Sequence, residues 1–241
     1  LKIGIIQPSN KYSALQLTEA ALSEGAQLVI LPEKWVKHID EVPLNEFQKL
    51  ARKYTALIIP GAFEDGVSVI SPIISPSGNI VGIAKKIHLF EKEKTYLISG
   101  DKLIIFTYRG VKLGITICYD LDFPEVIRSL FLKGVEIVLV PSKVDYEGIK
   151  YWREYLRVRV LENRVAIVNS NAIELPNFPG LSVALQPVKV GKYVDAKILA
   201  ELGENEGYVI ADIEPLNFLQ LRGERLREYK DFQIYDLGTI Q

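Results

Sequence analysis

Residues 111–124 read VKLGITICYDLDFP, and the change of character inside this stretch sets the architecture. The run 111–117 is short, mostly apolar and rich in β-branched side chains, the pattern of a buried strand. It breaks at Cys118 into a polar turn. Pro124 suits the first position of a helix, where its fixed φ and missing N–H are tolerated. Helical spacing continues over 125–132, Gly134 ends it, and residues 136–140 (EIVLV) return as a strand. Strand, helix and strand in this order make a βαβ unit. Cys118 therefore stands at the carboxyl end of a strand, on the rim of a sheet and not in its interior.

Upstream the same rhythm is written twice. Residues 2–7 (KIGIIQ) read as a buried strand, followed by a helix with Ser13 as N-cap and Gly25 as its stop. The run 27–31 (QLVIL) leads through Pro32 to Glu33, a polar crossover is expected next, 44–54 (LNEFQKLARKY) has helical spacing, and 56–63 (ALIIPGAF) returns as a strand. The middle of the chain differs. Residues 67–74 and 80–89 flank the turn SPSGN (75–79), and 103–108 and 111–117 flank Arg109-Gly110, so two antiparallel hairpins are expected. A long amphipathic helix at 151–164 and strands near 166–171, 181–186, 193–199 and 208–213 complete the reading. Parallel units combined with hairpins make mixed sheets. Many strands with few helices imply an α/β fold of two stacked sheets, and no repeat or long Pro/Gly linker divides residues 1–241 into more than one domain.

Composition narrows the function classes. A net charge of -1 supplies no electrostatic reason to bind nucleic acid or an anionic membrane. No apolar run approaches the ~20 residues of a membrane helix, and the first residues lack a signal-peptide profile, so the expected location is cytoplasmic. A single Cys excludes an intrachain disulfide, and zinc-type Cys or His spacings are missing, so no metal and no cofactor are expected.

Three reactive side chains share one kind of address. Glu33 follows the run 27–31, Lys86 closes the run 80–85 (IVGIAK), and Cys118 closes the run 111–117. A thiol attacks as its thiolate, so it needs a base or a neighbouring cation. Glu33 suits the base and Lys86 the cation. Attack on an amide carbonyl puts negative charge on oxygen, which an ammonium and a backbone N–H such as that of Tyr119 can stabilise.

Leu31-Pro32-Glu33, Lys85-Lys86-Ile87-His88-Leu89-Phe90 and Gly114-Ile115-Thr116-Ile117-Cys118-Tyr119-Asp120-Leu121-Asp122-Phe123-Pro124-Glu125 resemble, in this order, the signature blocks of the nitrilase superfamily of carbon–nitrogen hydrolases. The resemblance runs from Gln7 to Tyr235. It implies a four-layer αββα sandwich, with Glu33 as general base, Lys86 as stabiliser of the tetrahedral intermediate and Cys118 as nucleophile. It adds Glu93, ahead of a loop ending in Gly100-Asp101, as a fourth functional carboxylate. The implied reaction is hydrolysis of a small amide through a thioester, with nitrile or N-carbamyl hydrolysis, or a catalytically silent binding module, as alternatives. It also implies a homodimer or higher homo-oligomer, contacting through residues 151–164 and the carboxyl-terminal tail. The links from Gln7 to the first helix and from Phe90 to Glu93 are short for the family, Asp122 stands where relatives of the omega-amidase branch carry Arg, and Gln186-Pro187-Val188-Lys189 replaces a Pro-x-Gly.

A Cys–His dyad is the rival chemistry, because in an extended segment His88 projects to the same side as Lys86. Glu125 with Arg128, and Arg159 with Glu162, are spaced for i,i+3 pairs and read as structural.

Overall fold

The computed structural model describes residues 1–239; the last two residues of the expected domain lie outside the described residues. The chain opens with strand β1 (Lys2–Gln7), helix α1 (Lys11–Ser23), β2 (Leu28–Ile30), β3 (Glu33–His38), α2 (Leu44–Tyr54), β4 (Leu57–Ile59) and β5 (Ala62–Glu64). The hairpins follow as β6 (Val69–Ile74) with β7 (Ile80–Lys85) and β8 (Ile104–Tyr108) with β9 (Val111–Ile115). Then come α3 (Pro124–Leu132), β10 (Ile137–Ser142), α4 (Ile149–Asn163), β11 (Ala166–Asn171), and the short pair β12 (Ile173–Glu174) and β13 (Phe178–Pro179). The chain continues through β14 (Val183–Val190), β15 (Tyr193–Glu201), β16 (Gly207–Asp212) and α5 (Leu219–Glu228).

Two mixed sheets result. One has the order β16-β1-β2-β4-β6-β5-β3 with β7 paired to β6, and the other runs β15-β14-β11-β10-β9-β8. Strands β1, β2 and β4 are parallel, as are β9, β10 and β11, while both hairpins are antiparallel. Side-chain alternation stacks them. Ile3 and Ile5 of β1, Leu28 and Ile30 of β2, and Ile137 and Leu139 of β10 share the core between the sheets. Their sequence neighbours face the helices: Ile6 and Val29 pack with Ala14, Ala21 and Phe47 of α1 and α2, and Val138 and Val140 pack with Ile127, Leu130 and Trp152 of α3 and α4. A period of two therefore splits each buried strand between two cores, which is the physical content of an αββα sandwich.

Local differences from the sequence reading have physical causes. Helix α1 starts earlier than expected: Asn10 is the N-cap, accepting from the backbone of Tyr12 and Ser13, and Ser13 returns a bond to the Asn10 N–H at 3.2 Å from the third helical position. The expected crossover after Glu33 is strand β3, held to the sheet by Trp35, whose Nε1–H donates to the Pro60 carbonyl at 2.8 Å. Residues 56–63 form two strands, not one, because the chain turns at Gly61 (φ 118), where a Cβ would come within 2.3 Å of the Pro32 carbonyl oxygen. Helix α5 carries no strong apolar stripe and was not read from the sequence. Among the described residues no helix is long and apolar enough to cross a membrane.

Candidate active site

Beyond β9, the chain makes one tight turn of 3₁₀ helix, Cys118–Asp122, before α3. Cys118 itself has φ 46, a left-handed conformation that costs a non-glycine residue about 1 kcal/mol or more. Two buried groups hold this strained turn. The Asp120 carboxylate accepts from the N–H of Ile117 at 3.1 Å, and also from the N–H groups of Ile87 at 3.1 Å and His88 at 2.7 Å. It thereby ties the turn carrying Cys118 to the segment carrying Lys86. Arg159 of α4 caps the other end, donating to the Leu121 and Asp122 carbonyls at 2.9 and 2.7 Å. Among the described residues the Tyr119 N–H, near the start of the turn, finds no acceptor in the chain, so it is available to an oxyanion.

Glu33 begins β3 and lies 2% exposed; Lys86 follows β7 and lies 1% exposed. The Lys86 Nζ stands 2.8 Å from Glu33 Oε1 and 2.9 Å from Glu93 Oε2. Glu93 reaches the same ammonium because the short link after Phe90 coils into a 3₁₀ turn, where Glu93 Oε2 also accepts the Phe90 N–H at 2.8 Å. Cys118 completes the group: its thiol lies beside the Glu33 carboxylate and donates toward the Lys143 carbonyl, 3.9 Å from Sγ. All four line one cavity of about 390 Å³, large enough for a small organic molecule. Phe90, Tyr119, Asp122, Tyr151, Trp152 and Phe178 also line it.

Burial pushes the Cys118 thiol well above its ordinary value, and the adjacent Glu33 carboxylate pushes the same way, with Lys86 only partly opposing them. The resting sulfur is therefore a neutral thiol in contact with a carboxylate. Burial also opposes the charge on Lys86, yet the anions around it outweigh that penalty and keep it a cation. Glu93 is likewise held in its charged form, because Lys86 and Lys34 outweigh the effect of its burial.

The structure brings together Glu33, Lys86, Glu93, Cys118 and the Tyr119 backbone. Lys85 points to solvent, which resolves the choice between the adjacent lysines. His88 does not join them: its Nδ1 lies 3.0 Å from Asp120 Oδ1 and its ring stacks on Phe123 at 3.5 Å, so the Cys–His dyad has no geometric basis. Arg159 does pair with Glu162 at 3.0 Å. Arg128 instead lies over the Phe131 ring and donates to the Glu162 carbonyl, and among the described residues forms no ion pair with Glu125. The sequence reading passed over Asp120, Arg159 as a clamp, and Lys34, which touches Glu93. Asp120 sits inside the quoted motif and could have been singled out; the other two are visible only in three dimensions. No group of three or more His, Cys, Asp or Glu among the described residues is arranged to hold a metal ion.

Residues 8–218 match the family model described as carbon-nitrogen hydrolase. A nitrilase of Pyrococcus abyssi is 27% identical, with 94% of this chain and 91% of the relative covered. A 2-oxoglutaramate amidase of Bacillus subtilis is 28% identical, covering 86% of each. Among solved structures, an amidase from Nesterenkonia sp. AN1 with acrylamide added at its active-site cysteine superposes with a TM-score of 0.76 at 21% identity, over 94% of this chain and 98% of that one. With the αββα sandwich and a buried cysteine beside a carboxylate and an ammonium already in view, the match over residues 8–218 gives one conclusion: the chain is an enzyme of the carbon–nitrogen hydrolase family.

Proposed function

We propose that this enzyme hydrolyses the C–N bond of a small amide, acting without a cofactor through a thioester on Cys118. The observation that carries the reading is the meeting of a neutral thiol, the Glu33 carboxylate and the Lys86 ammonium in one buried cavity. Glu33 takes the thiol proton as sulfur adds to the carbonyl carbon, which avoids a free thiolate in a site that disfavours one. The oxygen becomes an alkoxide, stabilised by the Tyr119 N–H and by Lys86. Protonated Glu33 then gives its proton to the nitrogen, the C–N bond breaks, and ammonia or an amine leaves. Water adds to the thioester while Glu33 accepts its proton. The second tetrahedral intermediate collapses, the C–S bond breaks, and sulfur regains the proton from Glu33 as the carboxylic acid departs. Glu93 holds the Lys86 ammonium together with Glu33.

The amidase names of relatives support an amide; the nitrilase name supports a nitrile as the nearest variant, since the same sulfur can add to a nitrile carbon. A panel of small amides, nitriles and N-carbamyl compounds, read by ammonia release and by intact mass, tests this. Turnover with a Cys118 adduct is the expected result, and carbon dioxide released with ammonia identifies carbamyl substrates. Failure of every reactive amide and thiol reagent to modify Cys118 overturns the reading.

The proposal extends to one hydrolase domain over residues 1–241 working in the cytoplasm as a homodimer or higher homo-oligomer. Tyr151, Tyr155 and Val158, exposed at helical spacing along α4 beside the cavity, support the self-contact. Light scattering that returns a monomer at micromolar concentration removes that part.

A further inference from the structure

Five ionisable side chains form an alternating line through the wall of the site. From Glu33 the line passes to Lys86 (2.8 Å), to Glu93 Oε2 (2.9 Å), from Glu93 Oε1 to Lys34 (2.7 Å), and from Lys34 to Glu64 Oε1 (2.8 Å). The far end is finished by the Tyr96 hydroxyl, 2.9 Å from Glu64 Oε1, and by Lys37, 3.9 Å from Oε2. Glu93 thus bridges two ammoniums, Lys86 reaching both of its oxygens (2.9 Å to Oε2, 3.2 Å to Oε1) and Lys34 sharing Oε1. Without Lys34, Lys86 would be the one cation left to compensate both Glu33 and Glu93.

The backbone is bent to permit this. Adjacent residues of a strand project to opposite faces, yet Glu33 and Lys34 both line the cavity. Lys34 has φ 48, and the pairing of β3 with β5 loses its register between Glu33 and His38. A left-handed residue at the start of a strand is retained only when its surroundings over-determine it. Here those surroundings are Glu64 of β5, Glu93 of the 3₁₀ turn, and Lys143, whose Nζ donates to the Lys34 carbonyl at 3.3 Å. Burial works against the Lys34 charge, but its hydrogen bonds to Glu64 and Glu93 outweigh it, so Lys34 stays a cation. With its ammonium held by two carboxylates, it is not free to bind substrate.

We propose that Lys34 is a positioning residue for C–N cleavage: by neutralising one side of Glu93 it keeps the Lys86 ammonium directed at Glu33 and Cys118. The inference rests on the reading of those three residues as the reacting group. Removing the Lys34 charge leaves an excess anion in the line, so the proton of the reacting group is held more tightly. Glu64→Gln removes an anion instead and acts with the opposite sign.

The test uses the full chain with Lys34→Met, Lys34→Arg and Glu64→Gln. Two readouts are followed: the pH profile of turnover of the best neutral amide in the panel, and the rate at which iodoacetamide alkylates Cys118, which needs no substrate. Lys34→Met is expected to lower kcat about tenfold with KM unchanged, to raise the acid limb by about one pH unit and to slow alkylation to match. Lys34→Arg restores most of the loss, and Glu64→Gln moves the acid limb downward. If Lys34→Met does not fold, the downward shift in Glu64→Gln carries the test. An effect confined to KM, a change in melting temperature with unaltered alkylation, no rescue by Arg, or shifts of the same sign in both variants overturns the inference. If the wild type turns over no amide, the functional reading fails, and alkylation still reports on Lys34.

Discussion

The two ends of the cavity are built on opposite principles. At the inner end, Glu33, Lys86, Glu93 and Cys118 are buried, each ammonium lies against two carboxylates, and the Asp120 carboxylate takes three backbone N–H groups. At the outer end, Phe90 and Tyr151 are 47% and 65% exposed, and among the described residues Asp122 and Glu91 have no side-chain ion pair. A buried charge costs several kcal/mol unless its partner is kept, so the inner end tolerates few changes. Exposed groups have water as an alternative, so the outer end can vary with the substrate. Under the proposed function, reaction chemistry belongs to the first and selectivity to the second.

Five substitutions test this contrast. Glu33→Gln should have the largest effect, a loss of about 10³-fold in kcat through removal of the general base. The thiol should titrate lower in that variant, because the Glu33 charge raises it in the wild type. Alkylation against pH checks the sign: in the wild type the thiolate should appear only above the ordinary thiol value of 9.0, and removing the carboxylate moves the midpoint down. A midpoint that stays put would contradict the inner end as described.

Lys86→Met should lose about 10²-fold in kcat and, by leaving Glu33 without its ammonium and Glu93 with Lys34 alone, about 3–5 kcal/mol of stability. Urea denaturation measures the second quantity, and an equally stable variant would show that the ion line is not what stabilises the inner end. Asp120→Asn should cost about 2–3 kcal/mol and about tenfold in kcat/KM, because a neutral amide binds the N–H groups of Ile87, His88 and Ile117 less strongly. Asp122→Asn or Tyr151→Ala should change kcat by less than about threefold and act through KM, to a degree that depends on the charge of the amide tested. A large kcat effect at either position would erase the distinction between the two ends.

Much of the fold was legible because its signals are local. The period-two runs of β1, β2 and β10, the Pro124 start of α3 and the two hairpin turns each depend on residues close in sequence. Strand β3 was missed because EKWVKH is too polar to read as a strand; it is held by Trp35 against Pro60, a contact between distant residues. The N-cap of α1 was assigned to Ser13 because Asn10 and Ser13 are both competent caps, and backbone dihedrals choose between them. Glu93 is one charge in the stretch Glu91-Lys92-Glu93-Lys94, whose local pattern does not single it out; only the family resemblance did, and the short 3₁₀ turn is what aims it inward.

The order of residues was enough to read two stacked sheets and to single out Glu33, Lys86 and Cys118 as candidates that the fold brings to one cavity, because strand period, turn chemistry and motif spacing act over a few residues. Folding alone assembled the line from Glu33 to Glu64, the left-handed turns at Lys34 and Cys118, and the displacement of His88 to Asp120. Those features depend on which side chains meet after distant strands pack, and electrostatic compensation in a buried site is a property of that meeting.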